Sequence, residues 1–269
     1  RASRTVPFVS KATGVQLAKA AVMIGLGKTI AELKAEGYLP KNMDGASLPQ
    51  NTAIAVKAAV LPFSRFRTPE GVVVDSLLSP EMRSTGEVMG LDALYDTAFA
   101  KAQAGAGSPL PTEGKVFVSV ANHDKRNVII YAKMLEQLGF EIVSTGGTAD
   151  VLRRNGVNST VASKFAEANG QHSIVDMVRN GEIDLILNTP AGGAARSDGY
   201  EIRAAAVSVG CPVMTTISEF AAAVQAITAL RERSWEIINL QEHGEFLRTA
   251  STREQGQDKG EQVREGELS

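Results

Sequence analysis

Short apolar runs alternate with amphipathic stretches along the second half of this chain. Five of the runs are rich in Val and Ile, which is typical of strands buried on both faces of a parallel sheet. A strand, a helix and a further parallel strand form a right-handed crossover, so this order predicts a doubly wound α/β fold with a ligand crevice at the carboxyl ends of its strands. The predicted strands cover residues 115–121, 141–145, 159–163, 184–188 and 212–217.

The stretches between these runs predict helices. In residues 125–138 the apolar side chains of Val128, Ala132 and Leu135 recur at the spacing of one helix face, and Gly139 stands where helices commonly end. The other predicted helices of this half cover residues 149–155, 172–180, 200–209 and 219–230.

The first half of the chain predicts an incomplete, mainly helical unit. Helices are expected at residues 14–24, 29–37 and 91–103, with one β-like run at residues 57–61. The strands are too few to cover the apolar helix faces, and the sequence opens on Arg-Ala-Ser-Arg rather than on methionine. We therefore expect a fragment whose missing part lies upstream.

Composition divides the chain into four regions. Residues 105–114 are rich in Gly, Pro and other small residues, as linkers are, and they separate residues 1–104 from an α/β domain at residues 115–243. Residues 244–269 carry almost no large apolar side chain, which predicts a disordered polar tail.

Charge and cysteine content narrow the class of protein. The 28 basic and 30 acidic residues give a net charge of -2, which offers no field to attract a nucleic acid. No apolar run reaches the roughly 18 to 20 residues of a membrane span. The single cysteine, Cys211, cannot form an internal disulfide, and the three histidines show no metal-ligand spacing. We expect a soluble protein of the reducing cytoplasm, with no metal site in this sequence.

The most informative motif is Glu-Ile-Val-Ser-Thr-Gly-Gly-Thr at residues 141–148, where a strand runs into two glycines and then a helix. Gly146 and Gly147 let the backbone approach a ligand closely, and the first turn of the helix offers unpaired N–H groups. Thr145 and Thr148 add two hydroxyls. Phosphate is the ligand that this arrangement favours, and an ordinary tight turn is the alternative.

Polar side chains also follow the other predicted strands. They are Lys125, Lys164, Asn188 and Thr189, which together suit a compact phosphate attached to a polar group. Each has an ordinary explanation, since lysines are usually solvated and asparagine often caps a helix. The set lacks a general base, so we interpret it as a binding site rather than a catalytic centre.

Several long strings in this chain resemble the carboxyl-terminal part of the carbamoyl-phosphate synthetase large subunit. They lie at residues 1–14, 60–63, 71–75 and 80–90, and the resemblance continues to about Glu242. It implies that the first unit ends the second ATP-grasp half, which phosphorylates carbamate, and that the second unit is the methylglyoxal-synthase-like allosteric domain. It also implies a ligase that makes carbamoyl phosphate from ATP, bicarbonate and glutamine for pyrimidine and arginine biosynthesis.

The same resemblance implies roles for residues near the start of the chain. Arg4 matches an arginine that lines the carbamate-phosphorylating site, and Arg1 matches a neighbour near the nucleotide phosphates, two roles suited to guanidinium groups. The family's magnesium ligands lie just before Arg1, so Mg and ATP belong to the full-length enzyme, and this fragment alone is expected to be inactive. The expected partners are the upstream remainder of the large subunit and the small glutaminase subunit, while homo-oligomer formation stays open.

In enteric relatives the positions of Lys125, Thr145, Thr148, Lys164 and Asn188 bind the effector nucleotides UMP or IMP, so the resemblance implies a nucleotide site at the crevice. Two departures matter for regulation. One threonine of the family's site is replaced by Pro190, and a glutamate that serves ornithine binding is replaced by Ala58. We therefore predict no response to ornithine.

Three other functions are alternatives. A methylglyoxal synthase shares the Thr-Gly-x-Thr loop but needs carboxylates where this chain has Gln171 and Thr189. The cyclohydrolase half of the bifunctional purine enzyme carries a similar loop, yet it leaves residues 1–14 and 80–90 unexplained. A stand-alone nucleotide-sensing module stays open.

Overall fold

The computed structural model describes residues 3–41, 53–66, 68, 73–163, 173–189, 192–240 and 242, and for residues 192–198 it describes the helical backbone alone. Contacts divide the chain into two compact units. The first consists of Arg1–Lys57, Met89–Ala102 and Trp235–Ser269, and the second of Ala58–Val88 and Gln103–Ser234. The predicted division at a linker of residues 105–114 stays a prediction, and the predicted tail lies outside the described residues.

Helices dominate the described part that precedes the parallel sheet. They are α1 (Thr5–Thr13), α2 (Leu17–Gly25), α3 (Ile30–Ala35) and α4 (Tyr95–Gly105). The predicted helices at residues 14–24, 29–37 and 91–103 correspond to α2, α3 and α4. Helix α1 was not predicted, because Pro7 and the β-branched residues around it lower helix propensity, although Pro7 stands in the first turn, where proline is tolerated.

A two-stranded sheet joins β1 (Ile54–Val60) and β2 (Gly86–Asp92). The β-like run at residues 57–61 falls largely on β1, whereas β2 was not predicted, and the predicted helix at residues 91–103 is wrong over its first residues. Gly90 explains how α4 follows so closely on β2. A Cβ atom at Gly90 would stand 1.9 Å from the Ala98 carbonyl oxygen, so only glycine lets the helix pack against the strand there.

Five parallel strands form the sheet of the second unit, as the sequence predicts. They are β3 (Lys115–Ser119), β4 (Glu141–Ser144), β5 (Thr160–Val161), β6 (Leu185–Asn188) and β7 (Val213–Met214), in the spatial order β5-β4-β3-β6-β7. Each is shorter than predicted, and the two edge strands are shortened most. The fold class is therefore confirmed as α/β with a five-stranded parallel sheet.

In the described residues, four helices connect these strands and a fifth follows β7. They are α5 (Val128–Gln137), α6 (Gly146–Arg154), α7 (Ile174–Arg179), α8 (Gly192–Val209) and α9 (Ile217–Glu232). Helix α8 begins eight residues earlier than predicted. Its first turns were not predicted because they contain glycines and charged residues without apolar periodicity. Helices α5 and α9 pack on each other, as do α7 and α8. None of the helices described is both long and apolar enough to cross a lipid bilayer.

The core lies between the sheet and these helices, and it fixes the strand ends that matter for function. Phe117 of β3 and Ile186 of β6 are fully buried and pack with Ile174 of α7 and Ile202 of α8. The strand register then determines which residues lie at the carboxyl edge of the sheet, because Val118 pairs with Ser144 and Ser119 pairs with Asn188. The residues after β3, β4 and β6 are therefore neighbours at one edge of the sheet.

Candidate functional site

The loop after β4 brings two glycine amides to the carboxyl edge of the sheet. Thr145 has an extended backbone and precedes helix α6, which begins at Gly146. The Thr148 and Ala149 amides donate to the Thr145 carbonyl oxygen, at 2.8 and 2.9 Å. The N–H groups of Gly146 and Gly147 open the helix, and no partner for them is found among the described residues. The predicted strand–Gly-Gly–helix arrangement is present.

Two threonine hydroxyls flank these glycines. Thr145 Oγ1 lies 3.4 Å from Thr148 Oγ1 and 3.5 Å from Ser119 Oγ, distances at the long limit of hydrogen bonding. Thr148 is buried, whereas Thr145 is partly exposed. Because the Thr145 hydroxyl accepts no hydrogen bond from a backbone amide of its own helix, it remains suited to a ligand.

Lys125 approaches the same glycines from the loop after β3. A Cβ atom at Gly147 would stand 3.0 Å from Lys125 Nζ, so the ammonium group lies over the start of α6. No ion pair of Lys125 occurs among the described residues. A cation beside the positive end of a helix is unfavourable unless an anion lies between them. The arrangement therefore favours an anionic ligand.

The end of β6 supplies Asn188 and Thr189, both buried. The Ala121 amide donates to Thr189 Oγ1 at 2.8 Å, and the Thr189 amide donates to the Ser119 carbonyl oxygen at 3.2 Å. These bonds fasten the loop after β3 to the loop after β6. Thr189 therefore has a structural role whether or not it contacts a ligand.

Sequence reasoning missed three residues at this edge, namely Ser119, Arg203 and Asp75. Arg203 is fully buried, and its Nη1 donates to Asn188 Oδ1 at 2.8 Å. Its Nε and Nη2 donate to the two carboxylate oxygens of Asp75, each at 2.7 Å. The available signal was an arginine among the apolar residues in the second half of α8, since buried charges are nearly always paired.

The other predicted site residues are not brought to this edge by the described structure. Lys164, Pro190 and Gln171 lie outside the described residues, as does Arg1. Arg4 is described within the first unit, where it immediately precedes α1 and is partly exposed. Its predicted role at a carbamate site stays a prediction.

An open cleft of about 830 Å³ adjoins the crevice in the second unit. It shares Thr189 with the crevice and runs between the starts of α5 and α9, where Arg126, Tyr131 and Thr216 line it. Its volume exceeds the roughly 300 Å³ at which small-molecule sites begin, so a nucleoside can be accommodated there. In the described ranges no group of three His, Cys, Asp or Glu side chains has the geometry to hold a metal ion.

Comparison with known proteins identifies relatives of this chain. The model of a family described as the MGS-like domain matches residues 127–215. A carbamoyl phosphate synthase large chain from Kocuria rhizophila is 65% identical over 260 residues, which cover 96% of this chain and 24% of that relative. The chain is homologous to carbamoyl phosphate synthase large chains. The predicted resemblance is thus confirmed.

Two further large chains show how much of the family the sequence spans. The Pseudarthrobacter chlorophenolicus protein is 66% identical over 92% of this chain, and the Streptomyces griseus protein is 56% identical over 93% of it. In both comparisons the chain spans 23% of the relative, so it corresponds to about a quarter of a large chain. The MGS-like match contains the Gly146–Gly147 turn and Asn188, and Lys125 lies two residues before it.

Proposed function

We propose that this chain is the carboxyl-terminal part of a carbamoyl phosphate synthase large chain, and that its α/β unit binds the phosphate of a regulatory nucleotide. The carrying observation is the Lys125 ammonium above the open start of α6. An anion there gains from the charge, from the Gly146 and Gly147 amides, and from the Thr145 hydroxyl. Phosphate satisfies all of them together.

A nucleoside monophosphate of the UMP or IMP type is the proposed ligand. The loop that contains Lys125 continues into the cleft between α5 and α9, so a nucleoside attached to the phosphate has space beside Thr189. The proposed mechanism is a shift between two conformations that bind the nucleotide with different affinity. Such coupling typically amounts to about 1 to 3 kcal/mol.

The rest of the proposal concerns the complete enzyme. It makes carbamoyl phosphate from bicarbonate, glutamine-derived nitrogen and a phosphoryl group of ATP in the cytoplasm, for pyrimidine and arginine biosynthesis, with a small glutaminase subunit as partner. Arg1 and Arg4 would line the carbamate-phosphorylating site. Mg and ATP would be held by residues of the complete enzyme that lie outside this chain. We expect this chain alone to be catalytically inactive.

Ornithine regulation is proposed to be absent. Ala58 lies in β1 and cannot bind an ammonium group as a glutamate can, and the neighbouring Lys57 donates from Nζ to Thr5 Oγ1 at 3.1 Å. Ornithine should leave the activity of the complete enzyme unchanged. A clear ornithine-dependent change in its rate would contradict this.

Calorimetric titration with UMP, IMP and inorganic phosphate tests the proposed site. Lys125→Ala should weaken nucleotide binding by about 10- to 100-fold, because it removes a charge-assisted hydrogen bond of about 1.5 to 3 kcal/mol. Lys133→Ala is the matched control, since Lys133 is exposed on helix α5. Failure of all three ligands to bind the unmodified chain, or equal affinity in both variants, would refute the assignment.

A further inference from the structure

Arg203 joins two groups that are far apart in sequence. Its side chain is fully buried, and Asp75, which accepts two hydrogen bonds from it, is 30% exposed. The third bond of the guanidinium goes to the Asn188 carboxamide at the end of β6. The planar guanidinium therefore connects a carboxylate to an amide in one rigid arrangement.

The contact with Arg203 fixes which way the Asn188 amide faces. A guanidinium can only donate hydrogen bonds, so the atom 2.8 Å from Nη1 must be the oxygen Oδ1. The amide nitrogen Nδ2 then faces the other direction. Asn188 is 94% buried, and Nδ2 makes no hydrogen bond to any described residue. Its two N–H donors are therefore available to an acceptor, such as an oxygen atom of a ligand.

The contact between Arg203 and Asn188 requires a glycine at position 199. A Cβ atom at Gly199, one helical turn earlier, would stand 2.3 Å from Arg203 Nη1 and 2.7 Å from Asn188 Oδ1. Glycine therefore permits both contacts. Tyr200 Oη donates to the Val73 carbonyl oxygen at 2.6 Å, so α8 holds the segment of residues 73–75 at two points.

We propose that Arg203 is a positioning residue that holds the Asn188 amide with its N–H donors available to an acceptor oxygen of the bound nucleotide, and that Asp75 keeps Arg203 in place. The ligand part of this inference rests on the proposed nucleotide site. Because binding and position are linked reciprocally, nucleotide affinity depends on the Asp75 carboxylate even though Asp75 belongs to a segment upstream of the sheet.

Side-chain amide NMR of the 269-residue chain tests the positioning role without any ligand. The two Nδ2 proton signals of Asn188 are assigned by their loss in Asn188→Asp. In Asp75→Asn, which weakens the hold on Arg203, these signals should shift. Glu201→Gln is the control, because Glu201 is an exposed carboxylate on the same helix, and it should leave them unchanged. Unchanged Asn188 signals in folded Asp75→Asn would overturn the proposal.

Arg203→Lys provides a second variant if Asp75→Asn does not fold. Lysine keeps the positive charge but cannot reach both Asp75 oxygens and the Asn188 oxygen in the same geometry. The Asn188 signals should shift in this variant as well, and a spectrum identical to that of the unmodified chain would count against the proposal.

Affinity for UMP and IMP supplies the functional measurement. Asp75→Asn should weaken nucleotide binding about 5- to 10-fold, whereas Glu201→Gln should have no effect. Equal affinities of the unmodified chain and Asp75→Asn would overturn the link to the ligand. If the unmodified chain binds neither nucleotide, the proposed function fails, and the amide signals still decide the positioning role.

Discussion

Helices α6 and α7 both follow strands of the same sheet, but their first turns are satisfied in different ways. In α7, Ser173 Oγ accepts from the Asp176 amide and Asp176 Oδ2 accepts from the Ser173 amide, each at 3.2 Å. In α6, Thr148 stands where α7 has Asp176, and Thr145 makes no capping bond. One helix start is closed by its own side chains, and the other has no side-chain cap.

The same contrast extends to α3 and α9. Thr29 and Glu32 form a reciprocal cap at α3, and Thr216 accepts from the Glu219 amide at α9. These helix starts carry an acidic residue in the first turn, as the positive helix end favours. Helix α6 has no acidic residue there and has Lys125 beside it instead. An unsatisfied first turn next to a cation is thus a local sign of anion binding.

Within this comparison of helix starts, the largest effects are expected from substitutions of the residues that precede α6 and α7. Ser173→Ala should lower the free energy of unfolding by about 1 kcal/mol and leave nucleotide affinity unchanged, because it removes a helix cap and Ser173 is not one of the proposed site residues. Thr145→Ala should affect binding and not stability. Its free energy of unfolding should stay within about 0.5 kcal/mol of that of the unmodified chain, and its nucleotide binding should be about tenfold weaker. Denaturant unfolding and calorimetry measure the two quantities. Similar losses of stability in both variants would contradict the distinction.

Paired glycine substitutions should produce a smaller effect. At Gly147 a methyl group would displace the Lys125 ammonium, whereas at Gly146 nothing lies within 4 Å. Gly147→Ala should therefore weaken nucleotide binding a few-fold, and Gly146→Ala should change it less. Neither glycine has a positive φ angle, so each alanine should raise stability by at most about 1 kcal/mol. Equal nucleotide affinities in the two variants would remove the evidence that Lys125 acts at Gly147.

The smallest effect concerns the closed start of α9. Burial raises the pKa of Glu219 above its ordinary value near 4.5, although the Thr215 amide, which donates to the carboxylate, lowers it in part. A raised carboxyl pKa means that the folded state binds the proton more tightly, so stability should fall as pH rises from about the ordinary value through the raised one. Glu219→Gln should flatten this slope in thermal melts recorded from pH 4 to pH 8. An unchanged slope would exclude Glu219 as its source.

The sequence predicted most of the sheet and the open helix start, but not the ion pair between the buried Arg203 and Asp75. Apolar runs located all five parallel strands, because strands buried on both faces need continuous Val and Ile. The rule that parallel strands end at one edge then brought Lys125 and the Gly146–Gly147 turn together. Asp75 and Arg203 are 128 positions apart and show no local pattern, so their pairing was visible only in the fold.

Strand β2 and the first turns of helix α8 were not predicted, and the local sequence explains why. Strand β2 contains two glycines and little alternation of apolar residues, so its strand character depends on packing against α4. The first turns of α8 contain Gly192 and Gly193, and no apolar periodicity precedes Tyr200. In both places tertiary contacts outweigh intrinsic propensity.

The burial of the Arg203 guanidinium also affects how the protein unfolds locally. Separating it from Asp75 while the surrounding core persists would leave an uncompensated charge inside the protein, which costs far more than breaking a surface pair. Local opening at residues 73–75 is therefore expected to take α8 with it. Amide hydrogens in these two distant stretches should exchange with deuterium at one common rate, as members of a single cooperative unit.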